Sequence, residues 1–440
     1  MASEYRLHHG VFYRIYDERV VLYQTEQKKI FHFNETVKDV LDCFGKTNNT
    51  AEVVDMLKKL YDVDDIEEFE KSILAFINDL ANNRILVPVF HEKEKVNHLE
   101  SRVARSFIAT RTLFSATIEL TYKCNEHCQH CFIVDENEAE LSTNKIKEVI
   151  DELKTLNVLN LVFTGGEVFT RTDSFEIFEY AYRSNFAIDI FTNGTLLSDD
   201  DIFRLKALWP RSVSFSIYSH IPEKHDTITQ IKGSFEKTIN TLRKCALIGI
   251  PINIKAPILK YTIDDISGII KLAESLEASI QIGMTIVPKK DGDLSPTKLR
   301  VDDIKNYQKI IAAGAEYIKG IGDEYELPER TDRICNAGEY SISIDPYGNV
   351  FPCNTLLLNL GNVTTSSIKT IWERSETLLH WRKVNSHSNT KECVGCENID
   401  VCVFCPGEAL MRTGDPLMKY ENACTLTKAW VDWKKYNIIK

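Results

Sequence analysis

The chain has 440 residues, enough for roughly two or three domains, and its 43% hydrophobic and 27% charged residues are those of an ordinary globular protein. A formal net charge of −11 argues against a broad surface for nucleic acid or anionic membrane, and no run of 18 apolar residues is present to cross a bilayer. The opening MASEYRLHHG lacks the charged-then-apolar build of a secretion signal, so the expected location is cytoplasmic, where clustered cysteines serve metals or chemistry more often than disulfides.

Residues 1–95 read as a small unit. VFYRIYD, RVVLYQ and KIFHFN are short strands between polar turns, and helices follow. In the last helix Ile66, Phe69, Ile73, Phe76, Ile77 and Leu80 recur at helical spacing. A winged-helix DNA binder uses similar parts, but DDIEEFEKSILAFINDL is too acidic to approach phosphates. A short sheet with a free edge can instead accept an extended peptide as another strand. HEKEKVNHLESR is polar, and a linker is expected over 96–113.

From 114 to 290 strand-like runs alternate with helical ones: FSATIELT, NLVFTG, AIDIFTN, SVSFSIYS, INIKAPIL and SIQIGMTIV, with helices between them. Six such units predict an α/β fold, a partial (β/α)6 barrel open along one side, with its chemistry at the carboxyl ends of the strands. A bridging helical region is expected over 291–334, a loop-rich, metal-ordered domain over 335–424 and a terminal helix over 425–440.

The 12 cysteines are unevenly spread. Cys43 and Cys245 stand alone in apolar helical contexts and read as buried hydrophobes. Cys124, Cys128 and Cys131 crowd the stretch CNEHCQHC just past the first barrel strand. Three thiolates satisfy three irons of a four-iron, four-sulfur cube and leave the fourth open. Zinc would need a fourth ligand, which His127 or His130 could supply, and spacing alone leaves both readings standing. NLVFTGGEVF places Gly165, Gly166 and Glu167 at the end of the second strand. Paired glycines let a ligand approach the backbone, and a carboxylate beside them can hold an ammonium; a plain strand-to-helix turn would look the same.

Cys124-x3-Cys128-x2-Cys131 after strand one, with Thr164-Gly165-Gly166-Glu167 after strand two, resembles the radical S-adenosylmethionine (SAM) enzymes. The resemblance implies that SAM chelates the open iron, that Glu167 holds its amino group, and that one electron releases a 5′-deoxyadenosyl radical able to take hydrogen from an unactivated carbon. The family's usual GGEP is GGEV here, through Val168. FTNGT and FSIYS resemble strand ends that face SAM; Asn193, Ser216 and, in INIKAPIL, Lys255 are the expected polar contacts, and a loop or surface residue would look the same. YSHIPEKHDTITQIKGSFEKTINTL resembles the peptide-modifying branch.

Cys335, Cys353, Cys393, Cys396, Cys402, Cys405 and Cys424 resemble the SPASM extension, which carries two auxiliary [4Fe-4S] clusters and brings the implied total to three. The family's last cysteine pair is Cys-x3-Cys; here it is Cys402-x2-Cys405. By the family's interleaved ligation Cys393, Cys396, Cys402 and Cys424 close one cluster. Cys335, Cys353 and Cys405 hold the other and leave an iron open, to a substrate thiolate or to another ligand. Zinc ribbons are the bland alternative.

Residues 1–95, through FHFNETVKDVLDCF, resemble the PqqD-like, winged-helix-like domain that binds the leader of a ribosomally made precursor peptide as an added strand. Together these resemblances imply a radical SAM oxidoreductase of the sactipeptide or ranthipeptide type. It would join a cysteine sulfur to carbon in a precursor peptide, fed by a reductant such as flavodoxin or ferredoxin, with no nucleic-acid or membrane partner. Alternatives are a carbon–carbon crosslink, an epimer or a decarboxylated product, or a leader-binding protein without catalysis. A sulfatase-maturing enzyme fits less well, because Asn354 stands where that group has an aspartate base.

Overall fold

In a computed structural model of the chain, residues 5–88 are described apart from 9, 17–18, 26, 28 and 62–64, as are 110–320 apart from 135–137, and 333–437. The expected linker lies mostly outside the described residues. Its end is packed: Leu113 is buried, and the Arg111 carbonyl accepts from the Trp372 indole N–H at 3.1 Å.

The amino-terminal unit runs β1 (Tyr5–Leu7), β2 (Val11–Tyr16), β3 (Arg19–Gln24), β4 (Lys29–Asn34), helices Thr36–Phe44, Thr50–Leu60 and Ile66–Asn82, and β5 (Leu86–Pro88). β2, β3 and β4 form an antiparallel sheet with β4 at an edge, while β1 pairs with β5. Alternation gives the sheet two working faces: Val20 and Leu22 of β3 pack with the helices, Val21 and Tyr23 with the barrel. Asn49 and Asp65 cap the second and third helices by accepting backbone N–H bonds. In the third helix Ile73, Ile77 and Leu80 are buried as expected, whereas Ile66, in the first turn, is exposed.

The six expected barrel strands are present: β6 (Ser115–Thr121), β7 (Asn160–Gly165), β8 (Ala187–Thr192), β9 (Ser212–Ser216), β10 (Ile252–Pro257) and β11 (Ser279–Gly283). Each is the parallel neighbour of the next. Helices Thr143–Thr155, Ser174–Arg183, Asp199–Ala207, Ser234–Leu247 and Ile266–Ser275 make the crossovers, and an additional helix, Pro222–Thr229, follows β9. Along β7, Leu161 and Phe163 enter the core, leaving Asn160, Val162 and Thr164 on the inner face of the barrel. Cys43 and Cys245 are buried, as their apolar contexts predict.

The carboxyl-terminal segment holds more sheet than its sequence suggests. β12 (Ser341–Ile344) pairs in parallel with the outer edge of β6, and β13 (Asn349–Phe351) and β14 (Gly361–Asn362) continue antiparallel into a nine-stranded sheet. SISI is too short to announce a strand, and it joins the barrel without a crossover helix. The bridging region contributes the helix Ile304–Gly320. The last helix is Glu421–Asn437; it starts before residue 425 and so carries Cys424.

Candidate functional site

The cysteine loop leaves the carboxyl end of β6, and the end of β7 is bonded onto it. The Gly166 N–H donates to the Thr121 carbonyl at 2.7 Å, and the Glu167 N–H to the Lys123 carbonyl at 2.9 Å. Gly165 has φ +137°, and a Cβ there would stand 2.2 Å from the Thr121 carbonyl oxygen; one on Gly166 would stand 2.4 Å from that of Lys123. The glycines are therefore demanded by close packing of two strand ends, rather than only by room for a ligand. The additional helix pins the other side of the loop: the His127 and Gln129 N–H groups donate to the Thr229 and Ile228 carbonyls at 3.0 and 2.9 Å.

Cys124, Cys128 and Cys131 line a cavity of about 1020 Å³ at the carboxyl ends of the strands, together with Thr164, Gly165, Gly166, Asn193, Ser216 and Lys255. All twelve cysteines are free thiols. Burial pushes Cys124 up to about 11 and raises Cys128 and Cys131 as well, so these thiols stay neutral until a cation offsets the desolvation. The Glu126 N–H points at Cys124 Sγ at 3.4 Å, and the Tyr218 hydroxyl lies 3.5 Å from Cys128 Sγ; both favour the thiolate. His130 also lines the cavity, against the Tyr218 ring, and burial drives it down to about 4, so it is a neutral imidazole. Three free thiols on one loop suit a cube, in which each iron takes one thiolate.

Glu167 follows the glycine pair at the end of β7. It is wholly buried and is not among the residues facing the cavity. Its Oε1 accepts from the Thr192 hydroxyl at 2.8 Å and the Phe169 N–H at 3.1 Å, and its Oε2 from the Asn193 N–H at 2.6 Å. These bonds tie the end of β7 to the end of β8, and residues 164–166 border the cavity. Burial pushes its pKa up to about 7 against those three donors.

Asn193 is held on that clamp. Its Nδ2 donates to Asn125 Oδ1 at 2.9 Å, which joins β8 to the cysteine loop. Ser216 and Lys255 face the cavity from adjacent strands. Lys255 Nζ lies 3.9 Å from the Phe191 ring centre and donates to Gln281 at 2.8 Å, and burial lowers its pKa. Glu126, Tyr218 and Thr355 also line the cavity and were not singled out in the sequence. Glu126 and Tyr218 sit within the quoted motifs, but a strand-to-loop pattern does not tell which of its residues turn inward.

The seven later cysteines fall into two groups. Cys335, Cys353 and Cys405 act on one another electrostatically, and Cys335 is pushed up to about 12, chiefly by burial. Backbone N–H groups of Ala337 and Leu356 point at Cys335 and Cys353 Sγ, each at 3.3 Å. Cys393, Cys396, Cys402 and Cys424 form the other coupled group, with Cys396 and Cys424 exposed. The two-residue spacing between Cys402 and Cys405 does not keep Cys405 from the first group. Cys405 and Thr355 also line the large cavity, opposite the Cys124–Cys131 loop in the sequence but at the same opening in space.

Three family profiles match the chain: the radical SAM superfamily over residues 118–273, the SPASM iron–sulfur cluster-binding domain over 335–397, and coenzyme PQQ synthesis protein D over 19–86. An AdoMet-dependent heme synthase of Methanosarcina barkeri is 29% identical over 329 residues, covering 68% of this chain and 93% of that protein. The antilisterial bacteriocin subtilosin biosynthesis protein AlbA of Bacillus subtilis is 28% identical over 301 residues, covering 64% of this chain and 65% of that one. Among solved structures, Streptococcus suis SuiB bound to its precursor peptide SuiA superposes with a TM-score of 0.62 at 12% identity, over 96% of this chain and 99% of that chain. Among the described residues no helix is long and apolar enough to cross a membrane.

Proposed function

We propose, from the radical SAM, SPASM and PqqD domains this chain carries, that it is a maturase that joins a cysteine sulfur to a carbon of a ribosomally made precursor peptide. The observation that carries the reading is the shared cavity: Cys405 of the second cysteine set opens onto the space bordered by Cys124, Cys128 and Cys131. A bond between sulfur and carbon needs a place for each partner, and this cavity has sulfur-ligand chemistry at both sides. When bound, a cluster and SAM supply one-electron chemistry, the removal of a hydrogen atom from an unactivated carbon.

The residues divide the work. Cys124, Cys128 and Cys131 would hold the SAM-binding cluster. Cys335, Cys353 and Cys405 would hold one auxiliary cluster with three thiolates, room for a further ligand such as a substrate thiol, and Cys393, Cys396, Cys402 and Cys424 would hold another with four, for a proposed total of three. Thr164, Gly165, Gly166, Asn193, Ser216 and Lys255 would border SAM, with Glu167 a positioning residue beneath them. The edge strand β4 would take the leader as an added strand. SuiB was solved with a precursor peptide, and AlbA serves biosynthesis of a bacteriocin; both names point the same way. Each link would take one hydrogen from the carbon as an atom and one from the thiol as a proton, and the clusters that the seven later cysteines would hold would supply an acceptor for the remaining electron. The initial electron would come from a carrier such as flavodoxin or ferredoxin.

A second reading is favoured by the heme synthase similarity, which covers nearly all of that protein but leaves about a third of this chain unmatched. On it the cavity, with Lys123, Lys255 and Lys289 among its lining residues, would take a tetrapyrrole carboxylate instead. Incubation with SAM and reductant, once with a cysteine-containing candidate precursor peptide and once with an iron porphyrin bearing propionates, separates the two. Loss of free thiol from the peptide supports the maturase. A mass change in the porphyrin, with the peptide unchanged, replaces it.

A further inference from the structure

Leu299, Arg300 and Val301 are consecutive residues of the bridging region, and each is tied to a different group of cysteines. The segment is bonded to the chain just past β10: Leu259 and Arg300 form an antiparallel bridge, and the Lys260 N–H donates to the Leu299 carbonyl at 2.8 Å. Arg300 is extended, with φ −75° and ψ 160°, and in extended backbone successive side chains turn to opposite sides. Leu299 packs against the apolar cluster of Tyr218, Ile228, Leu259 and Ile286, against which Cys128 also packs. Arg300 pairs instead with Glu408, in the helix Pro406–Thr413. The Val301 carbonyl accepts from Asn422 Nδ2 at 3.2 Å, just ahead of Cys424 in the last helix.

Glu408 joins Arg300 to Cys405. Its side chain is fully buried, and its Oε1 accepts from Arg300 and from Arg412 Nε, the latter at 2.7 Å. Its backbone N–H and that of Gly407 bond to the Cys405 sulfur. The Cys405 N–H donates to the Tyr420 hydroxyl at 3.1 Å. Gly407 has no room for a side chain, because a Cβ there would stand 2.6 Å from the carbonyl oxygen of Thr355, which lines the large cavity with Cys405. Of the two arginines, Arg412 rides the same helix as Glu408 and cannot place that helix, whereas Arg300 reaches it from the barrel side. A buried carboxylate between two guanidiniums carries a desolvation cost that apolar side chains of similar volume would avoid. Stability alone therefore does not account for the trio; a fixed register between two parts of the chain does.

We infer that Arg300 is a positioning residue for the sulfur-to-carbon step: acting through Glu408, it fixes Cys405 against the Cys124–Cys131 loop at the large cavity. The inference rests on the proposed maturase function and adds the residue that sets one cysteine group against the other. Misplacing reacting groups by about 1 Å can cost on the order of a hundredfold in rate, so a brace of two adjacent residues, Leu299 toward Cys128 and Arg300 toward Cys405, suits the task.

The test uses the full chain, reconstituted anaerobically with iron and sulfide, and a cysteine-containing candidate precursor peptide. The quantity read is crosslinked peptide formed per 5′-deoxyadenosine, beside iron per chain and SAM cleavage without peptide. Arg300→Met should lower that ratio about tenfold while iron per chain and peptide-free cleavage stay within about twofold of the wild type. Arg300→Lys keeps the charge but not the guanidinium fork, so its ratio should fall between those of Arg300→Met and the wild type. Arg412→Met removes the other partner of Glu408 and should leave the ratio at the wild-type value. An unchanged ratio in Arg300→Met, an equal loss in Arg412→Met, or crosslinking that falls only in step with SAM cleavage would overturn the inference. Thermal melts show whether Arg300→Met folds; if it does not, Arg300→Lys decides, and a wild-type ratio there overturns it. A second readout needs no peptide. In a chain carrying Cys124→Ala, Cys128→Ala and Cys131→Ala, the electron paramagnetic resonance signal of the reduced iron belongs to the later cysteines. Arg300→Met should change the shape of that signal and Arg412→Met should not; one shape in all three would overturn the positioning of Cys405. Failure of the wild type to crosslink any peptide would remove the maturase function, and this signal would then decide alone whether Arg300 positions Cys405.

Discussion

The two later cysteine groups occupy one segment of sequence but two kinds of surroundings. Cys335 and Cys353 pack against the main hydrophobic core, beside a strand that extends the barrel sheet and a buried Trp381 whose indole donates to the Ala337 carbonyl at 2.8 Å. Cys405 begins the helix Pro406–Thr413, where the fully buried Glu408 pairs with Arg300 and Arg412. Cys393 and Cys396 lie instead on turns with exposed neighbours; Cys424 rides a helix, and a Thr427 hydroxyl reaches Cys402 Sγ at 3.6 Å. The inner group sits among packed side chains, whereas in the outer group Cys402 packs against a small buried cluster and Cys396 and Cys424 are exposed. Inner thiols are thus suited to place a reacting atom, outer ones to staple a surface segment and carry charge.

The largest effect should come from outside both groups. Replacing Cys124, Cys128 or Cys131 with alanine should abolish 5′-deoxyadenosine formation; retained SAM cleavage would remove the radical SAM assignment of this loop. Cys405→Ser should stop crosslinking while a substantial part of SAM cleavage survives, read by product chromatography beside peptide mass. Cys396→Ser should raise hydrogen exchange over 391–403 and the start of the last helix, leaving the barrel strands protected. Equal loosening around Cys335 would erase the distinction between the groups.

Arg300→Met tests the inner packing directly. Removing one partner of a buried ion pair costs about 3–5 kcal/mol, and Arg412 remains to hold Glu408, so a loss near the lower end is expected in denaturant unfolding. Gly166→Ala should cost about 1–3 kcal/mol by forcing the β7 end away from Lys123, with iron content of the cysteine loop falling as well.

The smallest effect is a pH dependence. The Glu167 carboxyl is raised in the fold, to about 7, so it holds its proton more tightly folded than unfolded. Its contribution to stability is full below the ordinary carboxylate range and is lost as pH rises from there through about 7. Glu167→Gln cannot ionise, so the wild type's advantage over it in melting temperature should narrow as pH rises from 4.5 to 7.5. A gap that widens over that range would show that the charged form is the one the three donors favour.

The six barrel strands and both cysteine regions were legible because period-two runs alternating with helical ones, and thiols at short fixed spacings, are local signals. β12 was not, since four residues without a crossover helix carry no local mark of joining a distant edge. Glu167 shows a subtler limit. The motif reveals a carboxylate at a strand end, but only the positions of the Thr192 hydroxyl and the Phe169 and Asn193 amides turn it inward. Likewise the partition of seven cysteines into three and four rests on Cys405 and Cys424 folding back to groups distant in sequence. The common opening of Cys405 and the Cys124 loop is a tertiary fact throughout.

The most direct test of the central claim is the intact mass of a cysteine-containing candidate precursor peptide after anaerobic reaction with this protein, SAM and a reductant. The account predicts loss of two hydrogens per link with matching loss of free thiol, and fragments that place the bond on a cysteine sulfur. An unchanged mass while 5′-deoxyadenosine accumulates would contradict it.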